Sequence, residues 1–362
     1  MSLDAVQAQD GLKTPCRVPA GISVHYYDYD LESEVVDLWN ESFPRRFTMA
    51  RRLFRQNTAL DRNFDTATAF VARKGGELAG YASGKVLREP VGNLGLLPGT
   101  GWLSTVFVAP HLRHVGIGRA LVRSVLESLR SRGANRILAG QDIWHFFPGV
   151  PASCSGAARF FERLGFKATG ACAFDLRGNI ADFRFPPDAR EYVRELEGSY
   201  AFRPAKSDEK QSIIEFFAME FPGRWLYEVA EFFERGGAAE DVIVACAGSD
   251  IVGAARIYTR DSAVIGPSLY WLCDRADGGG LGPMGVAAGH RGKGLGLVLL
   301  STALSELSSR RVTVCNIDWT VLVDFYGRTG FLPWERYLAY ECGVAAEAAV
   351  RPDAAPQHKR VV

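Results

Sequence analysis

No stretch of about 18 consecutive apolar residues occurs in this 362-residue chain, so nothing in it reads as a membrane-spanning helix. An excess of one charge is also missing. Forty-two Lys and Arg against 41 Asp and Glu leave +1, which gives no electrostatic reason for a nucleic acid or an anionic membrane as partner. Cysteine is sparse: seven residues, an odd number, with no C-x-x-C pair. That pattern predicts buried thiols in a cytoplasmic protein, with neither a disulfide framework nor a zinc site. The start, MSLDAVQAQD, lacks a basic segment followed by an apolar one, so no secretory signal is expected. What is present is core-forming material. With 47% hydrophobic residues the chain can fill cores, and its length exceeds what one core usually serves, so two domains are expected.

Self-comparison makes that expectation specific. From Gly101 the chain reads WLSTVFVAP, HLRHVGIG, a helical stretch RALVRSVLESLRSRG, an apolar run RILAG and then ARFFERLGF. From Gly280 it reads LGPMGVAAG, HRGKGLG, LVLLSTALSELSSR, VTVCN and VDFYGRTGF. Upstream halves match too. ISVHYYD and YAFRPAK read as strands, residues 31–42, 49–57, 208–220 and 225–235 as helices, and two hairpins turn at Gly75-Gly76 and near Ser249-Asp250. Each copy reads β–α–α–β–β–β–α–β–α–β, a mixed α/β layer fold. The expected limits are 21–190 and 199–342, joined by a linker at 191–198, with flexible tails at 1–20 and 343–362. The glycine-rich run from Asp277 to Gly282, just before the fourth strand of the second copy, reads as a flexible connector or a mobile lid.

The sharpest motif is R-x-x-G-x-G, present twice: Arg113, His114, Val115, Gly116, Ile117, Gly118, and Arg291, Gly292, Lys293, Gly294, Leu295, Gly296. Each follows an apolar strand and opens an amphipathic helix. The first N–H groups of a helix lack intrahelical partners and carry the positive end of its dipole, so they suit an anion. Glycine lets phosphate oxygens approach the backbone, and arginine adds charge-assisted bonds. The glycine order differs from G-x-G-x-x-G, and Lys293 is followed by Gly294 where a P-loop needs Ser or Thr.

With F-[FY]-x-x-x-G-F after each motif, the chain resembles the GNAT superfamily of acyl-CoA-dependent N-acyltransferases in tandem arrangement, over about residues 20–342. The stretch WHFFPGVP is similar to two-copy bacterial enzymes of small-molecule acylation, the mycothiol synthase type and antibiotic-pathway acetyltransferases among them. The resemblance implies two tandem domains, each a mixed, mostly antiparallel central sheet flanked by helices, with a V-shaped opening between strands four and five for the pantetheine arm. It implies acetyl-CoA or another acyl-CoA as cofactor and no metal. Its phosphate cradles would be Arg113–Gly118 with Arg119, and Arg291–Gly296, while Val106, Phe107, Val108 and Met284, Gly285, Val286 would offer strand backbone to pantetheine.

Catalytic candidates follow. The family's leaving-group acid is a tyrosine marked by F-Y, which singles out Tyr326; the first copy has Phe160-Phe161, and a phenyl ring cannot donate a proton. An aromatic packed beneath the cofactor is the alternative. Strand four lacks the family's glutamate in both copies, so the base is sought at the end of strand five, at Asp318 in NIDW or Asp142 in QDIW, or at His145. Trp144, Phe146, Phe147 and Trp319 are candidate walls of an acceptor or acyl pocket, or plain core. The expected activity is acyl transfer from acyl-CoA to the amine of a small molecule by direct attack, the acceptor being an antibiotic, an aminosugar or a thiol cofactor, in a monomer or homodimer. Two alternatives stand beside it: catalysis by the first copy with the second in support, and a non-catalytic acyl-CoA sensor or scaffold.

Overall fold

The computed structural model describes residues 20–88, 99–269 and 275–343. The expected tails therefore lie almost wholly outside the described residues. The first copy runs β1 (Ile22–Tyr26), α1 (Glu32–Ser42), α2 (Arg51–Asn57), β2 (Phe64–Lys74), β3 (Glu77–Val86), β4 (Thr100–Val108), α3 (Ile117–Ser131), β5 (Arg136–Ala139), a short β6 (Val150–Pro151), α4 (Ala157–Arg163) and β7 (Lys167–Asn179). Helix α5 (Pro187–Leu196) follows. The second copy runs β8 (Ala201–Pro204), α6 (Lys210–Glu220), α7 (Arg224–Glu234), β9 (Val242–Ala247), β10 (Asp250–Thr259), β11 (Gly278–Val286), α8 (Leu295–Ser309), β12 (Val314–Thr320), α9 (Val323–Gly327) and β13 (Leu332–Gly343).

All strands join one 13-stranded sheet in the order β1-β2-β3-β4-β5-β13-β7-β12-β11-β10-β9-β8, with β6 on β13. Only β4–β5 and β11–β12 are parallel among the described pairs. The order shows an exchange. The last strand of the second copy lies against β5 of the first, Glu341 opposite Leu138, and the last strand of the first copy lies against β12 of the second, Leu176 opposite Ile317. Division of the chain at 190/191 is therefore not a division in space, because each half-sheet is completed by a strand from the other copy.

Two further expectations change. The expected linker is part of an ordered helix: α5 begins at Pro187, and Asp188 pairs with Arg328 of the second copy. The expected glycine connector is itself strand, Gly278–Gly282 forming the first half of β11. The glycines serve close packing rather than motion. A Cβ at Gly280 would come 2.2 Å from the Tyr258 ring, and one at Gly279 would come 2.9 Å from Val312. Such a contact forces a neighbour to move, so the ring of Tyr258 and the absent side chain fit as a pair. Two cores result, one under each half-sheet, and α3 and α8 bury long apolar faces on them, for example Leu121, Val125 and Leu129, and Leu300, Leu304 and Leu307. Among the described residues no helix is long and apolar enough to cross a membrane.

Candidate functional site

Both R-x-x-G-x-G motifs form the same cradle. Gly116 and Gly294 are the N-caps of α3 and α8, at φ 99° and 83°, and neither has a side-chain cap. The first N–H groups of each helix are thus left for another acceptor. The arginines fold back rather than reach out. Arg113 donates to Val108 O at 3.2 Å and Ser42 O at 2.6 Å, while Arg291 donates to Val286 O at 2.8 Å and stacks on Phe221. Their first task is to tie the cradle to the end of the preceding strand. The first residue of each F-[FY] pair closes the cradle from below: a Cβ at Gly118 would lie 3.2 Å from Phe160, and one at Gly296 would lie 3.7 Å from Phe325.

Strands four and five part in both copies just beyond a matched register, Leu103 opposite Ala139 and Leu281 opposite Ile317. In the first copy the parting opens a cleft lined by Ser104, Thr105, Gly140, Phe147, Cys154 and Phe161. The Ser104 and Thr105 hydroxyls are buried with no hydrogen-bond partner. Burial, then the nearby Glu335 charge, pushes the Cys154 thiol up to about 11, so it is no thiolate nucleophile at neutral pH. In the second copy Pro283 stands where the first has Thr105, which removes one strand N–H. Phe221 lies over Gly285, and Tyr192 of α5 occupies the place of a Cβ at Gly294.

The register also aligns the ends of strand five. Gly140 follows Ala139 as Asp318 follows Ile317, and the next residues, Gln141 and Trp319, share a left-handed backbone at φ 70° and 49°. At the point of parting, the second copy therefore carries a carboxylate and the first carries no side chain. Asp318 sits in a buried polar cluster between the copies. His145 Nε2 lies 3.3 Å from Asp318 Oδ2, and the Ser268 hydroxyl donates to the same oxygen at 2.9 Å. Arg224 lies 3.8 Å over the Trp319 ring and 3.3 Å from Glu228, and His145 meets the edge of that ring. Burial opposes ionisation of Asp318, but His145, Arg224 and the Ser268 hydrogen bond outweigh it and hold the carboxyl below its ordinary range. Burial pushes the Glu228 carboxyl up. His145 is 0% exposed, and its Nδ1 has no hydrogen-bond partner. The arrangement is a base candidate oriented by a carboxylate, with one nitrogen free to take a proton.

The acetyltransferase (GNAT) family model matches residues 32–166, and a second acetyltransferase (GNAT) domain model matches 201–334. The chain belongs to the GNAT acetyltransferase family. Two GNAT domains stand in tandem along it. Over 103 residues it is 34% identical to mycothiol acetyltransferase of Thermobispora bispora, which covers 28% of this chain and 31% of that protein. A solved fungal structure, described as a glucosamine N-acetyltransferase region within a multi-domain GH3 β-N-acetylglucosaminidase, matches with TM-score 0.79 and 25% identity, over 90% of this chain and 38% of that one. A tandem GNAT protein from the clavulanic acid biosynthesis pathway matches in fold, with TM-score 0.60 and 16% identity over 90% of this chain and 100% of that one. This chain thus spans about a third of the mycothiol acetyltransferase and under two fifths of the fungal protein.

The GNAT fold binds acetyl-CoA, and the residues here fit it: uncapped helix N-termini behind left-handed glycines, a parted pair of strands, and unpartnered hydroxyls in the first cleft. Of the residues expected as base candidates or as walls of the acceptor pocket, His145, Asp318 and Trp319 come together. Three others are held in contacts away from this cluster. Asp142 lies within 2.6 Å of the Lys85 ammonium, which also meets Asp61 at 2.8 Å; all three are buried, so Asp142 is part of a structural ion triad. Trp144 donates to Glu231 and lies under Arg235, and Phe146 packs on Trp39 and Phe54. Tyr326 is 7% exposed, and burial pushes its phenol upward, so it keeps its proton at neutral pH. The second copy's Phe325-Tyr326 takes the place of Phe160-Phe161, the latter ring lining the first cleft. Sequence reasoning missed Arg224, Glu228, Ser268 and Asp175. The last was visible as a lone carboxylate in the apolar run ACAFDL, which is unusual for a central strand.

Proposed function

We propose that this GNAT chain acetylates the amine of a small polar molecule of the amino-sugar class, and that the reaction runs in the second copy. One observation carries the choice of copy: Asp318 stands where β11 and β12 part, and the equivalent point of the first copy is Gly140. Acetyl-CoA supplies an activated thioester. The acceptor enters as an ammonium, attracted by Asp318, and His145 Nδ1 takes its proton so that the free amine can attack. Asp318 fixes the orientation of His145 and stabilises the imidazolium that results. Tyr326, neutral in its buried site, gives its proton to the departing sulfur, and the proton shed by the attacking nitrogen as it becomes an amide restores the phenol. The acceptor class is supported by the fungal glucosamine N-acetyltransferase region, which aligns over nearly the whole tandem. It also suits a polar site, with the half-buried Arg224 over the ring of Trp319, the buried Glu228 beside Arg224 and the buried Ser268 on Asp318.

The test is thiol release from acetyl-CoA with glucosamine as acceptor, comparing the natural chain with Asp318→Asn. The expected result is turnover by the natural chain and a loss of roughly 100-fold or more in the variant, with acetyl-CoA affinity unchanged. A variant with full turnover would falsify the assignment to the second copy. A natural chain inactive on glucosamine but active on another amine would remove the acceptor class alone.

A further inference from the structure

The two strands exchanged between the copies meet beside this site, and one residue there has no role in the reaction as described. Asp175 lies on β7 of the first copy and is 0% exposed. Its strand pairs with β12, but the register shifts between Ile317 opposite Leu176 and Thr320 opposite Phe174. Asp318 and Trp319 therefore stand together opposite the single residue Asp175, a bulge with one extra residue on β12. A bulge re-aims side chains, and it needs something to hold its unpaired backbone groups. Asp175 does so. Its Oδ1 accepts the Trp319 backbone N–H at 3.0 Å, and its Oδ2 accepts the Tyr337 hydroxyl at 2.8 Å from the other exchanged strand, β13. Trp319 is also one of the few non-glycine residues with a left-handed backbone, at φ 49°. For a bulky aromatic this conformation is costly and persists only when the surroundings impose it.

We propose that Asp175 is a positioning residue for acetyl transfer in the second copy: through the Trp319 N–H it holds the bulge that aims Asp318 at His145. The inference rests on the role given above to Asp318. A carboxylate of the first copy thereby sets the geometry of a site in the second, and Tyr337 fixes that carboxylate. Burial, then the Asp318 charge, pushes the Asp175 carboxyl well above its ordinary range, in keeping with a group that serves as a hydrogen-bond anchor within the core.

The experiment measures kcat, the acceptor KM and acetyl-CoA affinity in the full chain for Asp175→Ala, Asp175→Asn and Tyr337→Phe, and for Asp175→Ala combined with Asp318→Asn. Asp175→Ala is expected to lower kcat by roughly 10- to 100-fold with acetyl-CoA affinity intact. Asp175→Asn, which keeps an oxygen for the Trp319 N–H, is expected to restore kcat to within about threefold of the natural chain. In the Asp318→Asn background, Asp175→Ala should cost nothing more, because the two act through one group. A folded Asp175→Ala chain with natural kcat overturns the proposal, and so does a further full loss in the double variant. If Asp175→Ala does not fold, Tyr337→Phe decides: a several-fold fall in kcat supports the proposal, and an unchanged kcat overturns it. If Asp318→Asn alone has no effect, the underlying reading fails, which is a separate outcome.

Discussion

The two copies share a cradle and a parting of strands, yet they differ at each position where chemistry would act. The first copy has Gly140 at the parting, Phe161 beneath it and a cleft lined by hydroxyls. The second has Asp318, Tyr326 and a polar cluster. The loops after strand five are held differently as well. In the first copy Lys85 reaches Trp144 O at 2.7 Å as well as Asp61 and Asp142. By register Lys85 corresponds to Tyr258, which in the second copy packs on Gly280. The two copies thus share the helix-end cradle, while the ends of their fifth strands differ. A cradle is built mostly from backbone and glycine, so it tolerates change around it; a base or an acid is one side chain and is lost in one substitution.

The largest expected effect breaks the first copy's loop. Lys85→Met leaves Asp61 and Asp142 buried without their cation and should cost about 3–5 kcal/mol of stability, measured by denaturant unfolding. The Lys85 ammonium is held protonated against the cost of burial by these two carboxylates, Asp142 foremost, so the triad persists at neutral pH. Next is the acid. Tyr326→Phe should lower kcat roughly 100-fold, about 2.7 kcal/mol of barrier, without weakening acetyl-CoA binding. Unchanged turnover at every pH tested would remove Tyr326 from that role. Smaller again is Gly140→Ala, where the backbone sits at φ 70° and a Cβ would meet Phe147 O at 2.3 Å. It should destabilise the chain by about 1–3 kcal/mol and leave kcat of the folded fraction alone. The smallest effect sharpens the contrast most. Phe161→Tyr supplies the first copy with a phenol, and no gain in turnover is expected because Gly140 still offers no carboxylate.

Much of this was legible in the sequence. The repeat, the cradles and the element order follow from local pattern, because helix caps, glycine turns and apolar periodicity act over a few residues. His145, Asp318 and Trp319 were legible as a set of types, although the resemblance of QDIW to NIDW misaligned them: the strand register pairs Asp318 with Gly140 and leaves Asp142 to Lys85. The run at Gly278–Gly282 read as a connector because glycine disfavours strands on its own, and only the Tyr258 and Val312 side chains packed against it explain why it stays extended. Strand exchange had no local signature. β7 and β13 are both long strands at the end of a copy, and which edge each joins is decided by contacts between residues far apart in the chain, such as Val314 with Asn179 and Glu341 with Leu138.

That exchange bears on how the chain is made. Synthesis proceeds from the N-terminus, and folding units generally form as they leave the ribosome. Here β5 waits for β13, which ends at Gly343, so the first copy emerges with an open edge and keeps it until nearly all of the second has followed. An unpaired edge invites pairing with other chains. A nascent chain that stalls before residue 332 would leave the slot beside β5 empty, a gap in the middle of the sheet rather than a frayed end.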